Sequence, residues 1–389
     1  MIPDVVVVGG GIVGTASAAF LAAAGARVML FEQTALAAGA SGRNSGVVQQ
    51  PFDAVLAGLY RRSLELYREL AAELPGSFRL DARPAGLLYV GPAGAESAAR
   101  GLAGTWMAAD PEVGAEVVAG SALRDLDAAL AADLAACRLD IGYPVAPASA
   151  TRAYAALAER FGASIVIGGE ARLAVRDGVA VGVEVDGGLI EAGAVVVAAG
   201  PWTPDVLTAA GATSPSPWPP IRRSWGVVAA IRLERPPRHV LEEIDIDIEP
   251  DDGGDGSAAR DEGFGFSLVT ADGTSALGST FLPEPPEPSS VVDRLRDRGA
   301  RYVPAIASTS VIATRTCARP VSPDGRPLLG VIPGIRNAFV AAGHGPWGIS
   351  TGPGSARLVA DLVLGSPSAI PQELDPARFS ASAGPATSR

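Results

Sequence analysis

The sequence contains no lysine; all 31 of its basic residues are arginine. That excludes chemistry resting on a lysine base, a lysine Schiff base or the lysine of a phosphate-binding loop. Arginine preference together with abundant alanine is also what a GC-rich genome produces. Histidine and cysteine are nearly as scarce: His239 and His344, Cys137 and Cys317, with no C-x-x-C pair. The count excludes a disulfide framework, and no metal site is expected. No apolar run approaches the ~18 residues of a membrane span. No basic stretch precedes the first apolar run, so a signal peptide is not expected and the cytoplasm is the expected location. The net charge is −11, and an acidic chain lacks the electrostatic footprint of a nucleic-acid binder. Glycine and proline are plentiful, at 47 and 32, but no G-X-Y period accompanies them, which excludes collagen.

What the chain does have is apolar sequence, 48% of 389 residues. That suffices for a sizeable core and for two folding units. The β-branched run Val5-Val6-Val7-Val8 suits a parallel strand buried on both faces. A helix over Thr15–Ala24 and a strand over Arg27–Glu32 follow it. Ser41–Gly46 reads as a polar loop, and apolar spacing from Leu56 to Leu70 predicts a helix over Asp53–Glu73. Gly86–Val90 reads as a strand, residues 95–136 as helical in pieces, and Thr151–Phe161 as a helix. Strands are expected at Ser164–Ile167, Val179–Val185, Ala194–Gly200, Trp225–Leu233 and Ala338–Gly343. Phe264–Phe281 reads as a hairpin turning at Asp272-Gly273. Arg294–Tyr302 and Ser355–Leu364 read as helices. Residues 214–220 look like a Pro-rich crossing, 245–260 like an acidic exposed loop, and the chain beyond Phe379 like a frayed tail.

The chemistry starts at Gly9-x-Gly11-x-x-Gly14. Such a motif is weak alone. Here it follows a buried strand, opens a helix, and is followed by Glu32 at the end of the second strand. That is the context of a dinucleotide site: close backbone approach to a pyrophosphate, N–H groups at the helix N-terminus, and an acid for the ribose hydroxyls. The competing reading is an ordinary Gly-rich turn. Buried strands that end in glycine recur at Gly200, followed by Pro201-Trp202, and at Gly343. The binding domain is thus assembled from distant segments, which favours FAD over NAD.

At this point the chain resembles the D-amino-acid oxidase superfamily, and within it the glycine oxidase and sarcosine oxidase branch. The resemblance rests on Val5–Gly14 with Glu32, on Ala40–Gly46, on Val195–Trp202 and on Arg315–Leu364. The last block holds Arg319-Pro320-Val321-Ser322-Pro323-Asp324-Gly325-Arg326-Pro327 and Gly343-His344-Gly345. Residues 205–300 match least. The resemblance implies a fold that is α/β plus antiparallel β: a Rossmann-type FAD-binding domain over residues 1–78, 145–215 and 319–375, interleaved with a substrate domain over 79–144 and 216–318 on a mixed or antiparallel sheet. Residues 376–389 form a tail.

The same resemblance implies FAD held by Gly9, Gly11, Gly14, Glu32, the loop Arg43-Asn44-Ser45, Ala199, Gly200, Trp202, Gly343, Gly345, Trp347, Gly348 and Ile349. It implies hydride transfer from a small carboxylate-bearing amine to flavin N5, imine hydrolysis to a 2-oxo acid, and reoxidation by O2 to peroxide. Arg319 falls where relatives grip the substrate carboxylate, for which a planar guanidinium is suited. The alternative is a structural arginine. His344 either bonds the flavin ring or holds the strand–helix turn, and is not assigned as a base. FAD is expected to be non-covalent, with Cys317 as a candidate attachment point. Ser350-Thr351-Gly352-Pro353 is expected to cap the closing helix, whose N-terminus would stabilise charge on reduced flavin. Trp225 and Trp347 are candidate pocket walls or core, Arg222 and Arg223 solvated residues, and His239 an exposed loop residue. Sarcosine oxidase-like relatives use a lysine to help oxygen react, and this chain has none. A dehydrogenase passing electrons to another acceptor is therefore the second reading, and a flavin-binding relay subunit of a larger complex the third.

Overall fold

The computed structural model describes residues 2–208, 218–244, 263–366 and 370–379. Most of the expected crossing at 214–220, the acidic loop at 245–260 and the tail beyond Phe379 lie outside the described residues.

Val5–Val8 is buried on both faces because two different layers cover it. It pairs in parallel with Val28–Glu32 on one side and Ala194–Val197 on the other. Ser164–Ile167 and Ala338–Ala342 extend the sheet in parallel, and Leu328–Val331 closes it antiparallel, for six strands in all. Val5 and Val7 pack against the helices Ile12–Ala23, Ala54–Glu73, Ser149–Arg160 and Gly348–Val363. Val6 and Val8 face a three-stranded antiparallel sheet, Ala171–Arg176, Val179–Val185 and Gly188–Glu191. Strand side chains alternate between faces, so an apolar layer on both sides requires the unbroken Val run.

An eight-stranded sheet stands beside this sandwich. Its order is Val311–Val321, Arg222–Ile231, Thr274–Thr280, Phe264–Ala271, Val240–Glu243, Leu87–Gly91, Ala135–Leu139, Glu116–Ala119. Every pairing is antiparallel except that of Val240–Glu243 with Leu87–Gly91. One face buries Val227, Ala229, Phe266, Leu277 and the helix Pro288–Ala300. The fold is thus α/β plus antiparallel β, with the parallel sheet drawn from residues 5–32, 164–197 and 328–342. Among the described residues no helix is long and apolar enough to cross a membrane.

Several local expectations are corrected. Residues 95–136 are not purely helical: they hold the strand Glu116–Ala119 and enter the strand Ala135–Leu139. Their alanines sit in a ladder whose burial overrides helix propensity. Ala40–Arg43 is a short helix inside the expected loop. The strand Val311–Val321 was not visible, because its polar and apolar residues follow no clean alternation. The closing helix begins at Gly348, with Pro353 inside it and no side-chain cap at its N-cap, Trp347. The hydroxyl of Thr351 donates instead to the Trp347 carbonyl at 2.8 Å. His239 is buried, not exposed. Its Nδ1 lies 3.2 Å from Asp127 Oδ2, and Gly86 leaves room for its ring.

The helices Ala54–Glu73 and Gly348–Val363 pack closely at Gly354. A methyl there would sit 2.5 Å from the Leu59 carbonyl oxygen, and Gly354 N donates to Ser63 Oγ at 2.9 Å. Gly58, in the exposed part of the same partner helix, faces open space. Gly354→Ala should therefore destabilise the protein by about 1–3 kcal/mol through overpacking. Gly58→Ala should be neutral or stabilising by up to about 1 kcal/mol, because alanine is the better helix former. Urea unfolding of the two variants separates these opposite signs.

Candidate functional site

The Gly-rich turn is shaped by what approaches it. Gly9 adopts φ +114°, open to glycine, and lies against the Ala198 carbonyl. A side chain on Gly10 would meet Glu32, and one on Gly11 would meet Ser41. Both neighbours use the space. Glu32 Oε2 accepts from Gly10 N at 2.7 Å, and its Oε1 accepts from Thr34 N at 2.9 Å. Ser41 Oγ accepts from Ile12 N at 2.9 Å and so caps the first helix from another segment.

A cavity of about 710 Å³ opens from this turn, within the range of cofactor and ligand sites. It is lined by Gly9, Gly11, Glu32, Arg43, Asn44, Ser45, Ala199, Gly200, Trp202, Arg319, His344, Gly345, Trp347, Gly348 and Ile349, and by Cys317. Gly14 and Gly343, expected to hold the cofactor, are not in the wall. Gly14 packs against the Gly9 carbonyl and so seats the helix on the strand end, while Gly343 turns toward Leu328 and Ser322. Trp225 is not in the wall either; it bridges to Leu282. Arg222 and Arg223 are exposed, Arg223 paired with Asp205.

The loop after Ser41 is held to the eight-stranded sheet by two arginines. Arg43 Nη1 donates to Thr316 O at 2.9 Å, and Arg315 Nη2 donates to Asn44 O at 3.2 Å. The Asn44 side chain is spent within the loop, donating to Ala40 O and Ser41 O and accepting from Gly46 N. Asp324 is a structural acid: Arg378 Nε donates to it at 2.8 Å, and it accepts from Arg326 N.

Arg319 lies on the Val311–Val321 strand. Its Nη1 donates to Thr280 O at 2.6 Å, and its guanidinium sits 4.4 Å from the Phe281 ring centre. Gly226 on the neighbouring strand makes room, since a methyl there would be 2.7 Å from the guanidinium. Burial pushes the Cys317 thiol up from its ordinary value, against the opposing pull of Arg319, so the thiol form is favoured. His344 is buried, bridges to Val321, and its Nε2 has no hydrogen-bond partner. Burial pushes its pKa down to about 4, so it is neutral at pH 7.

Cavity residues that sequence reading did not single out are Gln49, Glu170, Glu242, Ser267 and Ser279. They come from strands and loops whose local sequence carries no motif. Ser41, also in the wall, lies within the recognised segment Ala40–Gly46.

Comparison with known proteins fits this geometry. The family model described as FAD dependent oxidoreductase matches residues 4–362. A D-amino acid dehydrogenase of Paramagnetospirillum magneticum is 56% identical over 52 residues, 13% of this chain and 12% of that protein. The chain therefore spans well under two thirds of that relative. Glycine oxidase of Bacillus licheniformis is 25% identical over 391 residues, covering 94% of each chain. The crystal structure of glycine oxidase from Geobacillus kaustophilus aligns with a TM-score of 0.81 at 26% identity, over 97% of this chain and 98% of that one.

The residues fit FAD. The three close approaches at Gly9, Gly10 and Gly11 leave a cradle of bare backbone beside Glu32. The N-terminal residues Gly348, Ile349 and Ser350 of a sixteen-residue helix open on the same cavity. The buried, unpartnered His344 Nε2 stands in the same wall as Gly345 and Trp347.

The state of His344 makes a prediction. Its folded pKa of about 4 lies below the ordinary 6.5. Its contribution to stability is therefore full above pH 6.5 and is lost as pH falls toward about 4, because the unfolded chain takes up a proton that the native one refuses. The slope from this group is at most about 1.4 kcal/mol per pH unit. His344→Gln should flatten the fall in unfolding free energy over that window. Identical slopes for the two proteins would show that His344 is protonated in the native state.

Proposed function

This chain belongs to the FAD dependent oxidoreductase family, and we propose that it oxidises the C–N bond of a small amino acid. The substrate is an N-substituted glycine, glycine or a D-amino acid. FAD, when bound, supplies the two-electron acceptor for this chemistry. Overall, the amino acid, O2 and water give a 2-oxo acid, an amine or ammonia, and H2O2.

The observation that supports this most is Arg319. It projects into the cavity that begins at the Gly-rich turn, and it is fixed by Thr280 O, Phe281 and the space above Gly226. A fixed guanidinium grips a carboxylate at a set angle, and so sets the direction of the Cα–H bond. His344, neutral and buried, adds no charge to the wall. Ala341, Ala342 and Gly345 are buried where they line the cavity. No strong base is required, because the amine reacts in its neutral form.

A second reading shares the site and differs in the electron acceptor. It rests on the absence of lysine throughout the sequence, which leaves only Arg and His to supply a cation where oxygen would react. Under that reading the protein is a dehydrogenase.

Amino acids should bleach the bound flavin under anaerobic conditions. Rapid recovery of colour on admitting air, with peroxide, supports the oxidase; slow recovery that a soluble quinone accelerates supports the dehydrogenase. Absence of bleaching by every carboxylate-bearing amine would refute amino-acid oxidation. Arg319→Leu should raise KM about 100-fold with little change in the Kd for FAD; loss of flavin instead would reassign Arg319 to cofactor binding. Acid precipitation should release the flavin into the supernatant, as the protonated Cys317 thiol implies. Yellow precipitate would show covalent attachment.

A further inference from the structure

Gln49 and Ser267 both line the cavity, and they are 3% and 5% exposed. Gln49 is held at two points. Its backbone N donates to Ser350 Oγ at 3.0 Å, and its side-chain Nε2 donates to Glu242 Oε1 at 3.0 Å. The second bond fixes the amide, because the reverse orientation would set two oxygens against each other. Gln49 Oε1 is left facing away from that bond, with no hydrogen-bond partner among the described residues. Ser267 stands beside Glu242 in the ladder, and its Oγ likewise has no hydrogen-bond partner among the described residues.

Buried polar atoms without partners are costly and rare, so two of them on one cavity wall point to a ligand. An amide oxygen only accepts, and a hydroxyl can accept, so a group with two N–H bonds meets both. The sheet places that group beside Arg319. The guanidinium reaches across Gly226 to the Thr274–Thr280 strand, where Nη1 donates to Thr280 O at 2.6 Å and Nη2 to Ser279 Oγ at 3.5 Å. Ser267 pairs with Gly278 of that same strand, one spacing or about 5 Å between backbones. Its Oγ leans back over Gly278, 3.0 Å from where a Cβ on that glycine would be. An α-amino acid carries its carboxylate and its amino group on one carbon. With the carboxylate at Arg319, the amino group is therefore the part of the substrate that comes nearest to Ser267.

We propose that Gln49 Oε1 and Ser267 Oγ accept the two N–H bonds of the substrate's α-amino group, and so select primary amino acids, glycine or a D-amino acid, over N-substituted glycines. This rests on the reading of the protein as an amino-acid oxidising enzyme. With both N–H bonds committed, the nitrogen lone pair has a set direction relative to the Cα–H bond that Arg319 orients. A neutral secondary amine has a single N–H, so its alkyl group leaves one of the two oxygens buried and unmet.

The test compares the holoenzyme's kcat/KM for glycine with that for sarcosine, and for D-alanine with that for N-methyl-D-alanine, measured by anaerobic flavin bleaching. The primary amine should win by about 30-fold in each pair that reacts, the cost of leaving a buried acceptor unmet. Ser267→Ala should cut that ratio about 10-fold. It should leave unchanged the Kd for FAD and the inhibition constant of propionate, which has the carboxylate and no amino group. A change in all three would show a structural role, and loss of flavin alone would assign the hydroxyl to the cofactor; either overturns the proposal. So does a preference that survives intact in Ser267→Ala. The wild-type ratios decide the matter if that variant folds poorly. If the N-methyl compounds bleach the flavin as well as or better than the primary amines, the selectivity is wrong and amino-acid oxidation stands. If no amino acid bleaches it, amino-acid oxidation itself is wrong and the amine site falls with it.

Discussion

The carbonyl of Gly9 occupies the place where a side chain on Gly14 would have to go. This contact seats the first helix directly on the end of the first strand, and the rest of the site depends on it. The turn between them carries no Cβ at Gly10 or Gly11. The space goes to Glu32 and Ser41, whose oxygens take the N–H groups of Gly10 and Ile12. Ser41 in turn begins the segment that reaches the second sheet. A larger residue at Gly14 would lift the helix and with it the whole of that chain of contacts.

Arginine ties the two sheets together where the loop crosses between them. Arg43 from the loop bonds a carbonyl of the Val311–Val321 strand, and Arg315 from that strand bonds a carbonyl of the loop. The exchange is reciprocal, so moving one element strains both bonds. Arg315 sits in a half-buried place where burial pulls its pKa down. A guanidinium starts high enough to stay charged there; an ammonium in the same place would be far closer to losing its proton. An all-arginine chain is thus well matched to charges buried at an interface between sheets, whatever the cause of its composition.

The parts legible in sequence were those in which one local pattern decides one local structure. The Val5–Val8 run could only be a strand covered on both faces, and Gly9, Gly11 and Glu32 could be placed from spacing and context. Gly14 was read as part of the turn, but it lies inside the first helix, Ile12–Ala23, which it seats on the strand end without contacting the cavity. Where burial comes from distant residues, local pattern failed. His239 looked solvated beside two prolines, yet Asp127, over a hundred residues earlier, accepts from it and from the backbone of Arg238. Burial alone would raise the pKa of Asp127, but these hydrogen bonds hold it below the ordinary value. The Val311–Val321 strand and the closing helix from Gly348 were missed or misplaced for the same reason. Cys317 and Arg319 on that strand line a cavity, and the helix starts at a glycine with no side-chain cap at Trp347 before it.

Glu242 and Glu243 show how far such illegibility extends. They are chemically identical and adjacent, and nothing in Val-Leu-Glu-Glu distinguishes them. The strand's pleat sends one toward Arg298 and Tyr302 and the other toward Gln49 and the cavity. A one-residue slip in the pairing of Val240–Glu243 with Leu87–Gly91 and Phe264–Ala271 would exchange them. Leu241 and Val240 oppose that slip, because they are buried in apolar clusters on opposite faces of the sheet. The polar end of the cavity is therefore set by apolar packing on a short strand, and that packing also fixes which acid faces the cavity.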